Sequence, residues 1–369
     1  MFRVKFKFRD FHRDLPTSYP WKLNNLFCNI TSRCDQACKY CHSPKHIFDK
    51  KDMSLSLLEK VAAQANEINI KNFVLTGGEP LLHPQLGDIL EILSGYEFDI
   101  KMATNGASMD KNVLDLLKQF RVKSLQVSVD TLNKEHYQLV RGVDRLDRVI
   151  ENVRDIISGG SIHLAVSSVG NRIVIDELED LLQFCYEEGI PTFTLTKPIP
   201  VNAGALNNQL LLSDKEFVRL IDRLINTFYY NTNHALLELG YPYARDSYLH
   251  KKWRDKIAMN ITTCEGGRNS LTISVDGKVT PCVCFETEEF YFGDINSVSL
   301  EDLWKSEFLG YFRGEHKYNR CRSCDIWSDC LGGCRALALI ETGKLDSSDP
   351  HCVFWNQIPV VLHALTNQD

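Results

Sequence analysis

The stretch Cys34-Asp35-Gln36-Ala37-Cys38-Lys39-Tyr40-Cys41 places three thiols within eight residues, just after an apolar run at 26–31 that predicts a buried strand. Three cysteines are too few to close a tetrahedral zinc site by themselves. They can hold three irons of a [4Fe–4S] cluster and leave the fourth iron open to a ligand from outside the protein. The spacing therefore indicates an iron–sulfur centre, and zinc with a distant fourth ligand is the alternative.

Cysteine content is the compositional anomaly of this chain. Among 369 residues there are 13 cysteines; eleven fall in three clusters, and Cys28 and Cys185 stand apart. Because the N-terminus does not have the pattern of a signal peptide, metal explains these thiols better than disulfides do, and we expect a cytoplasmic protein. No apolar run has the length of a membrane span. A net charge of −6 argues against a nucleic-acid partner.

Apolar periodicity predicts alternating strands and helices from residue 26 onward. The predicted strands are 26–31, 72–76, 98–104, 124–130, 161–168 and 192–197. The predicted helices are 54–69, 85–94, 110–119, 146–158, 175–188 and one that begins at Ser213. Six β–α units in succession imply a parallel sheet with right-handed crossovers. Such a sheet either stays open or curls into a barrel, and the periodicity allows both.

Candidate ligand-binding motifs follow the carboxyl ends of the predicted strands, where parallel α/β barrels collect their chemistry. Gly77-Gly78-Glu79-Pro80 follows the second strand, and its glycines allow backbone to approach a ligand closely. Polar residues near the ends of the third and fourth strands complete the set: Asn105, Ser128, Asp130 and Arg141.

Together these motifs resemble the radical S-adenosylmethionine (SAM) superfamily, whose signature is the same cysteine spacing with an aromatic residue, here Tyr40, before the third cysteine. The resemblance implies an α/β fold, a partial (β/α)6 TIM-like barrel, in which Cys34, Cys38 and Cys41 hold a [4Fe–4S] cluster. It also implies that the open iron binds SAM and that an electron splits SAM into methionine and a 5′-deoxyadenosyl radical. The residues expected around SAM are Tyr40, Gly77, Gly78, Glu79, Pro80, Asn105, Ser128, Asp130, Arg141 and, against the adenine, Leu195.

A second field of cysteines begins at Cys264, continues with Cys282 and Cys284, and ends with Cys321-x2-Cys324-x5-Cys330-x3-Cys334 and Cys352. It closely resembles the SPASM extension of radical SAM enzymes, which holds two auxiliary [4Fe–4S] clusters and would bring the total to three. Structural zinc is the alternative. The run at 275–279 predicts a hairpin with an Asp-Gly turn that presents Cys282.

The resemblance implies interleaved ligands for these two clusters. The first would use Cys264, Cys282 and Cys334, with Cys284 as the candidate fourth ligand or an open, substrate-binding iron in its place. The second would use Cys321, Cys324, Cys330 and Cys352. The expected domains are an N-terminal strand extension (1–24), the barrel (25–212), a connecting helical segment (213–262) and the SPASM domain (263–369).

We expect the substrate to be a ribosomally made peptide that is crosslinked, oxidised or epimerised, because most SPASM enzymes comparable to this chain act on peptides. A ferredoxin or flavodoxin is the expected reductant. Alternatives are a small-molecule reaction on a sugar or tetrapyrrole, sulfatase-type protein maturation, and an electron carrier without SAM chemistry. Sulfatase maturation is disfavoured because Val283 occupies the position of the catalytic aspartate. For an epimerase, Cys28 or Cys284 would be the hydrogen donor, although core packing also explains Cys28.

Overall fold

The computed structural model describes residues 21–42, 50–201, 208–231, 236–239, 264–286, 290–316, 318, 321–324 and 327–352. The N-terminal strand predicted within 1–24 lies outside the described residues except for 21–24, and so does most of the segment predicted at 213–262. None of the described helices combines the length and the apolar character that a membrane span requires.

Strands and helices alternate through the first part of the chain, as the periodicity predicts. The strands are β1 (Asn25–Thr31), β2 (Asn72–Gly77), β3 (Asp99–Thr104), β4 (Ser124–Ser128), β5 (His163–Val169) and β6 (Thr192–Thr196). The helices are α1 (Leu55–Glu67), α2 (Leu86–Ser94), α3 (Lys111–Gln119), α4 (Lys134–Arg141), α5 (Leu146–Gly159), α6 (Leu178–Glu187) and α7 (Asp214–Asn231).

The remaining described elements are shorter. They are the strands β7 (Leu236–Leu239), β8 (Ser270–Ile273), β9 (Lys278–Thr280) and β10 (Gly293–Asp294), and the helices α8 (Leu300–Trp304), α9 (Gly310–Arg313), α10 (Trp327–Cys330) and α11 (Arg335–Thr342). The ten strands of the described residues form one sheet in the order β10-β9-β8-β1-β2-β3-β4-β5-β6-β7. Strand β8 and strands β1 to β7 pair in parallel with one another, whereas β9 pairs antiparallel with both β8 and β10. The described strands leave this sheet open between β7 and β10, which confirms the expected α/β fold with a partial barrel.

The C-terminal hairpin joins the barrel directly, which the sequence analysis did not predict. Strand β8 pairs in parallel with β1, from Asn25 opposite Ser270 to Cys28 opposite Ile273. All four residues of β8 are buried. A four-residue run contains no local information about its pairing partner, so only tertiary packing reveals this contact. The hairpin turn has Gly277 at φ +88°, a conformation that suits glycine.

The strands of the barrel bury one face fully and the other partly. In β1, Leu26, Cys28 and Ile30 are completely buried. They share the apolar core with one face of α1, whose buried residues are Leu58, Val61, Ala62 and Ala65. The other face of β1 carries Asn29 and Thr31, so the polar side chains of the strand point away from that helix.

Candidate active site

Backbone hydrogen bonds join the cysteine loop after β1 to the C-terminal end of helix α4. The backbone N–H of Ala37 donates to the carbonyl of Arg141 at 3.0 Å, and that of Lys39 donates to Val140 at 2.9 Å. Gly142 ends the helix at φ +77°, and a Cβ there would lie 3.0 Å from the carbonyl oxygen of Ala37. The positive φ and the close approach of the loop therefore both favour glycine at this position.

The three loop thiols are partly buried and lie within electrostatic reach of one another. Burial raises the pKa of Cys34 to about 12. Burial also raises the pKa of Cys38 to about 11, although the charge of Arg141 counteracts this. Nη1 of Arg141 lies 3.9 Å from the Cys38 sulfur. Since thiolates are the metal ligands, binding a metal here would release protons.

Asp130 connects the cysteine loop to two further elements. Its Oδ2 accepts hydrogen bonds from the Tyr40 hydroxyl and from Nε of Arg141, both at 2.6 Å. Its Oδ1 accepts the backbone N–H of Val169 at 2.9 Å. The carboxylate is completely buried, and the Arg141 guanidinium also lies over the Tyr40 ring at 5.5 Å. Asp130 therefore positions two predicted cofactor-binding residues, while its own contact with SAM stays a prediction.

One nitrogen of Arg141 has no protein partner. Its Nη2 is buried and makes no hydrogen bond, whereas Nε is held by Asp130. Burial would lower the pKa of Arg141, but the neighbouring Asp130 raises it well above its usual value, so the side chain stays charged. Because an unsatisfied buried donor costs free energy, this geometry suits a ligand that brings an acceptor oxygen. The carboxylate of SAM is such a group, and the residues present therefore fit SAM.

The two glycines of Gly77-Gly78-Glu79-Pro80 lie against the start of the cysteine loop. A Cβ on Gly77, whose φ is +135°, would lie 2.2 Å from the carbonyl oxygen of Thr31. A Cβ on Gly78 would lie 2.2 Å from that of Arg33. The observed close approach is thus to protein backbone, and the predicted approach of these glycines to a ligand stays a prediction. Pro80 begins a short 3-10 helix, Pro80–Leu82.

Glu79 is a completely buried carboxylate between the ends of β2 and β3. Its Oε1 accepts from the Thr104 hydroxyl at 2.6 Å and the Leu81 N–H at 3.1 Å, and its Oε2 accepts from the Asn105 N–H at 2.6 Å. Burial raises its pKa to about 7 against the effect of these donors. The Asn105 side chain also donates to Asp35 in the cysteine loop at 2.7 Å.

The other predicted contacts of SAM lie farther along the sheet. Ser128 is half-buried at the end of β4, opposite Ser167 of β5. Leu195 is completely buried in β6, and a Cβ on Gly170 would lie 3.1 Å from its Cδ1. The observed surroundings of Leu195 are apolar core. The predicted roles of Ser128 beside the carboxylate or ribose and of Leu195 against the adenine stay predictions.

Cys28 lies in the apolar core. It is completely buried, its sulfur is 3.6 Å from the sulfur of Met53, and burial raises its pKa to about 12. Its neighbours Asn29 and Thr31 point to the other face of β1. The contacts of Cys28 match core packing, which the sequence also allowed, and they offer no support for a catalytic role.

The sequence analysis missed helix α4 and several side chains that hold the loop. Asn133 caps the helix by accepting the N–H groups of Glu135 and His136. The buried Tyr137 hydroxyl accepts a hydrogen bond from Gln36 of the loop at 3.2 Å. Asn133 and Gly142 at the two ends of this segment are the cap signals that would have revealed the helix.

Pairwise electrostatic effects divide the C-terminal thiols into two groups. The first group is Cys264, Cys282, Cys284 and Cys334, and the second group is Cys321, Cys324, Cys330 and Cys352. None of the thirteen cysteines, all of them in the described part of the chain, forms a disulfide. Among the residues that the structure describes, no three His, Cys, Asp or Glu side chains converge on a site for a metal ion.

Contacts within the first group involve three segments of the chain. A Cβ on Gly266 would lie 3.0 Å from the Cβ of Cys282 and 3.6 Å from the sulfur of Cys264. A hydrogen bond with Cys284 and burial raise the pKa of Cys282. Burial and the nearby Cys264 raise the pKa of Cys334.

Electrostatic effects also link the thiols of the second group. Burial and the nearby Cys352 raise the pKa of Cys330 to about 12. Burial, Cys352 and Cys324 raise the pKa of Cys321 to about 11. The thiols influence one another within each of the two sets that the resemblance implies, and these ligand sets and their binding of iron stay predictions.

Two family models match the chain. Residues 28–185 match the radical SAM superfamily, and residues 264–325 match the SPASM iron–sulfur cluster-binding domain.

Similar proteins include the PqqA peptide cyclase of Granulibacter bethesdensis, 22% identical over 334 residues, which are 89% of this chain and 86% of that protein. The mycofactocin maturase MftC of Mycolicibacterium smegmatis is 23% identical over 352 residues, 92% of this chain and 83% of that protein. A probable GTP 3′,8-cyclase of Saccharolobus solfataricus is 27% identical over 300 residues, 78% of this chain and 92% of that protein.

Solved structures share the fold. Streptococcus suis SuiB bound to its precursor peptide SuiA superposes with a TM-score of 0.74 at 18% identity, covering 90% of this chain and 76% of SuiB. The enzyme anSMEcpe with bound AdoMet superposes with a TM-score of 0.71 at 19% identity, covering 90% of this chain and 94% of that one. The chain therefore carries a radical SAM domain over residues 28–185, followed by a SPASM iron–sulfur cluster-binding domain over residues 264–325.

Proposed function

We propose that this chain cleaves SAM reductively at a [4Fe–4S] cluster on Cys34, Cys38 and Cys41 and modifies a ribosomally made peptide. When bound, the cluster and SAM supply an electron and a 5′-deoxyadenosyl radical that abstracts hydrogen from the substrate. The observation that carries this proposal is the buried Nη2 of Arg141, which has no protein partner and lies on a guanidinium in contact with Cys38.

The role of Arg141 is to orient the carboxylate of SAM. Asp130 holds Nε, which fixes the plane of the guanidinium and leaves Nη2 for an acceptor from outside the protein. A hydrogen bond between two charged groups is about twice as strong as one between neutral groups. Burial of both side chains excludes water from this contact.

Glu79 is suited to receive the amino group of SAM. A carboxylate has about four accepting positions, and Thr104, Leu81 and Asn105 occupy three of them. The position that is left would accept one N–H of the ligand. The proposal keeps eight further residues of the SAM site: Tyr40, Gly77, Gly78, Pro80, Asn105, Ser128, Asp130 and Leu195.

The first and second groups of C-terminal thiols would each hold an auxiliary [4Fe–4S] cluster, which makes three clusters in all. Cys284 is the proposed fourth ligand of the first group, because it lies within hydrogen-bonding distance of Cys282. Auxiliary clusters would pass an electron to or from the substrate, and a ferredoxin or flavodoxin would provide low-potential electrons.

Two lines of support favour a peptide as the substrate. Two similar proteins are named as a peptide cyclase and a mycofactocin maturase, and SuiB, which has the same fold, was solved with its precursor peptide. In addition, the described sheet is open between β7 and β10, which suits an extended substrate better than a closed barrel would.

A small-molecule reaction is the second candidate. The relative named as a probable GTP 3′,8-cyclase is 27% identical, so a substrate of nucleotide size is a specific alternative to a peptide. Closed cavities of a few hundred Å³ are typical for such substrates.

The test is anaerobic reconstitution followed by chemical reduction with SAM present. We expect 5′-deoxyadenosine from the wild type, and a mass change in a short peptide encoded near the gene. The variant Cys34→Ala/Cys38→Ala/Cys41→Ala should make no 5′-deoxyadenosine and should lose one four-iron cluster, about four of about twelve irons. Cys185→Ala is the matched control, because Cys185 is buried in α6 and belongs to none of the cysteine groups.

Each outcome separates the candidates. If the wild type holds iron but never cleaves SAM under strong reduction, the chain is an electron carrier and the proposal fails. If SAM is cleaved and GTP or another small molecule is consumed while peptides are unchanged, the second candidate replaces the first.

A further inference from the structure

Two arginines are buried inside the SPASM domain. Arg268 and Arg335 are each 2% exposed, which is unusual for a guanidinium without a carboxylate partner. Within the described part of the chain, neither forms an ion pair; both donate hydrogen bonds to backbone carbonyls, and the Arg335 guanidinium also lies over the Tyr318 ring at 4.1 Å. Buried charges are normally paired or bound to a metal centre, so these two need an explanation.

Arg268 donates hydrogen bonds to backbone carbonyls at or beside a cysteine of each thiol group. Its Nη1 donates to the carbonyl of Cys264 at 3.1 Å, its Nη2 donates to Leu331 at 3.3 Å, and its Nε donates to Phe312. One guanidinium therefore contacts the backbone of Cys264, in the first group, and of Leu331, which follows Cys330 of the second group.

Arg335 adds a second positive charge close to the first. Its Nη1 donates to the carbonyls of Leu345 at 2.8 Å and Ser347 at 2.5 Å, and its Nε is buried without a partner. Its Nη2 donates to the carbonyl of Gly332, next to the Leu331 carbonyl that Arg268 contacts. The two cations repel each other, and the groups near them that can carry negative charge are the cysteine sulfurs and the buried carboxylate of Asp349, whose backbone N–H donates to the same Gly332 carbonyl.

We propose that Arg268 and Arg335 are the counter-charges of the two auxiliary clusters and raise their reduction potentials. This inference rests on the proposed function, in which both thiol groups bind clusters. A four-iron cluster with thiolate ligands is an anion, and one electron from the reductant adds one more negative charge. A fixed cation inside a buried domain stabilises the reduced form more than the oxidised form, so the potential rises.

A purely structural role would come from the backbone hydrogen bonds alone, and substitution separates the two roles. Lysine keeps the positive charge and some donors, whereas glutamine keeps donors and loses the charge. Arg313 is the matched control, since it donates to the carbonyls of Gly267 at 2.9 Å and Trp304 at 2.8 Å in the same domain. No thiol contributes to the pKa of Arg313, which burial lowers.

The experiment is an EPR-monitored redox titration of the reconstituted full-length chain in the Cys34→Ala/Cys38→Ala/Cys41→Ala background, where only auxiliary clusters give signals. In Arg268→Gln and in Arg335→Gln, we expect the equilibrium constant for reduction to fall tenfold or more for at least one cluster, which is 59 mV for one electron. Arg268→Lys and Arg335→Lys should recover most of this change, and Arg313→Gln should match the parent.

Equal potentials in the parent and the glutamine variants, or equal shifts in the lysine and glutamine variants, would overturn the proposal. If a glutamine variant loses its auxiliary-cluster iron, the iron content of the matching lysine variant is compared with it. Iron kept by the lysine variant supports the charge role, and iron lost from both variants overturns the proposal. A parent chain without C-terminal iron also overturns it, yet leaves SAM cleavage by the wild type intact as a separate result.

Discussion

The carboxylate of Asp130 lies 2.6 Å from Nε of Arg141, and neither side chain is exposed by more than 5%. The hydroxyl of Tyr40, in the cysteine loop, donates a hydrogen bond to the same carboxylate oxygen, so the ion pair is in direct contact with the loop. A buried pair of this kind contributes little when intact, but removal of one partner leaves an uncompensated charge. Asp130 therefore fixes the position of the Arg141 guanidinium, whose Nη2 has no protein partner.

The first prediction concerns Asp130→Asn. The variant leaves the buried Arg141 without its counter-charge, so we expect the free energy of unfolding of the apo protein to fall by about 3–5 kcal/mol. Urea denaturation followed by circular dichroism measures this. Asp147→Asn is the matched control: it breaks the exposed ion pair with Lys134 and should leave stability unchanged. Equal losses in both variants would contradict the prediction.

The second prediction concerns Arg141→Lys. Lysine can keep the ion pair with Asp130 but lacks the second nitrogen that Nη2 provides, so we expect weaker binding of SAM. A hydrogen bond between charged groups contributes about 1.5–3 kcal/mol, which corresponds to a roughly 10- to 100-fold rise in Kd. Anaerobic calorimetry on the reconstituted protein measures it, and Arg148→Lys on the exposed side of α5 serves as the control. An unchanged Kd in Arg141→Lys would remove Arg141 from the SAM site.

Much of the barrel was predictable because its strands and helices bury regular faces. The six predicted strands correspond to β1 to β6, and the hairpin at Gly277 was also expected. Helix α4 was missed because it spans only eight residues and exposes Leu139, which weakens its apolar periodicity. The pairing of β8 with β1 was missed because local sequence does not specify which distant strand a short run joins.

The candidate site was predictable as a list of residues rather than as a set of contacts. The motif spacing singled out Tyr40, Asp130 and Arg141, but these residues come from three segments whose convergence depends on tertiary structure. Likewise, Gly77 and Gly78 were expected to face a ligand, whereas the structure shows them packed against the backbone of Thr31 and Arg33.

The third prediction follows from that packing. In Gly77→Ala, the new methyl group would lie 2.2 Å from the Thr31 carbonyl oxygen, with φ at +135°, so the chain must shift where β2 meets the cysteine loop. We expect a loss of several kcal/mol in unfolding free energy, at the upper end of single substitutions. Gly87→Ala is the control, because nothing lies within 4 Å of its Cβ. Since Gly87 is inside helix α2, alanine there should stabilise by about 0.5–1 kcal/mol. Thermal denaturation of both variants gives the comparison.

The fourth prediction is a pH dependence of stability caused by Glu79. Burial raises the pKa of this carboxyl from 4.5 to about 7 in the folded protein. Between these two pH values the folded state binds more protons at Glu79 than the unfolded state does, so its contribution to stability falls as the pH rises and is constant above about pH 7. At 1.36 kcal/mol per pKa unit, the full loss is about 3 kcal/mol.

The substitution Glu79→Gln should remove this part of the pH dependence, because glutamine does not titrate. The measurement is urea denaturation of the apo protein at intervals from pH 4.5 to 8, and the quantity of interest is the stability difference between wild type and variant. As the pH rises, the wild type should lose up to about 3 kcal/mol of unfolding free energy relative to the Glu79→Gln variant. Glu91→Gln, at an exposed position of α2, should follow the wild type at every pH. If the stability difference between wild type and Glu79→Gln stays constant over this pH range, Glu79 is ionised throughout and the prediction is wrong. That result is expected if the three hydrogen-bond donors lower the pKa of Glu79 by more than burial raises it.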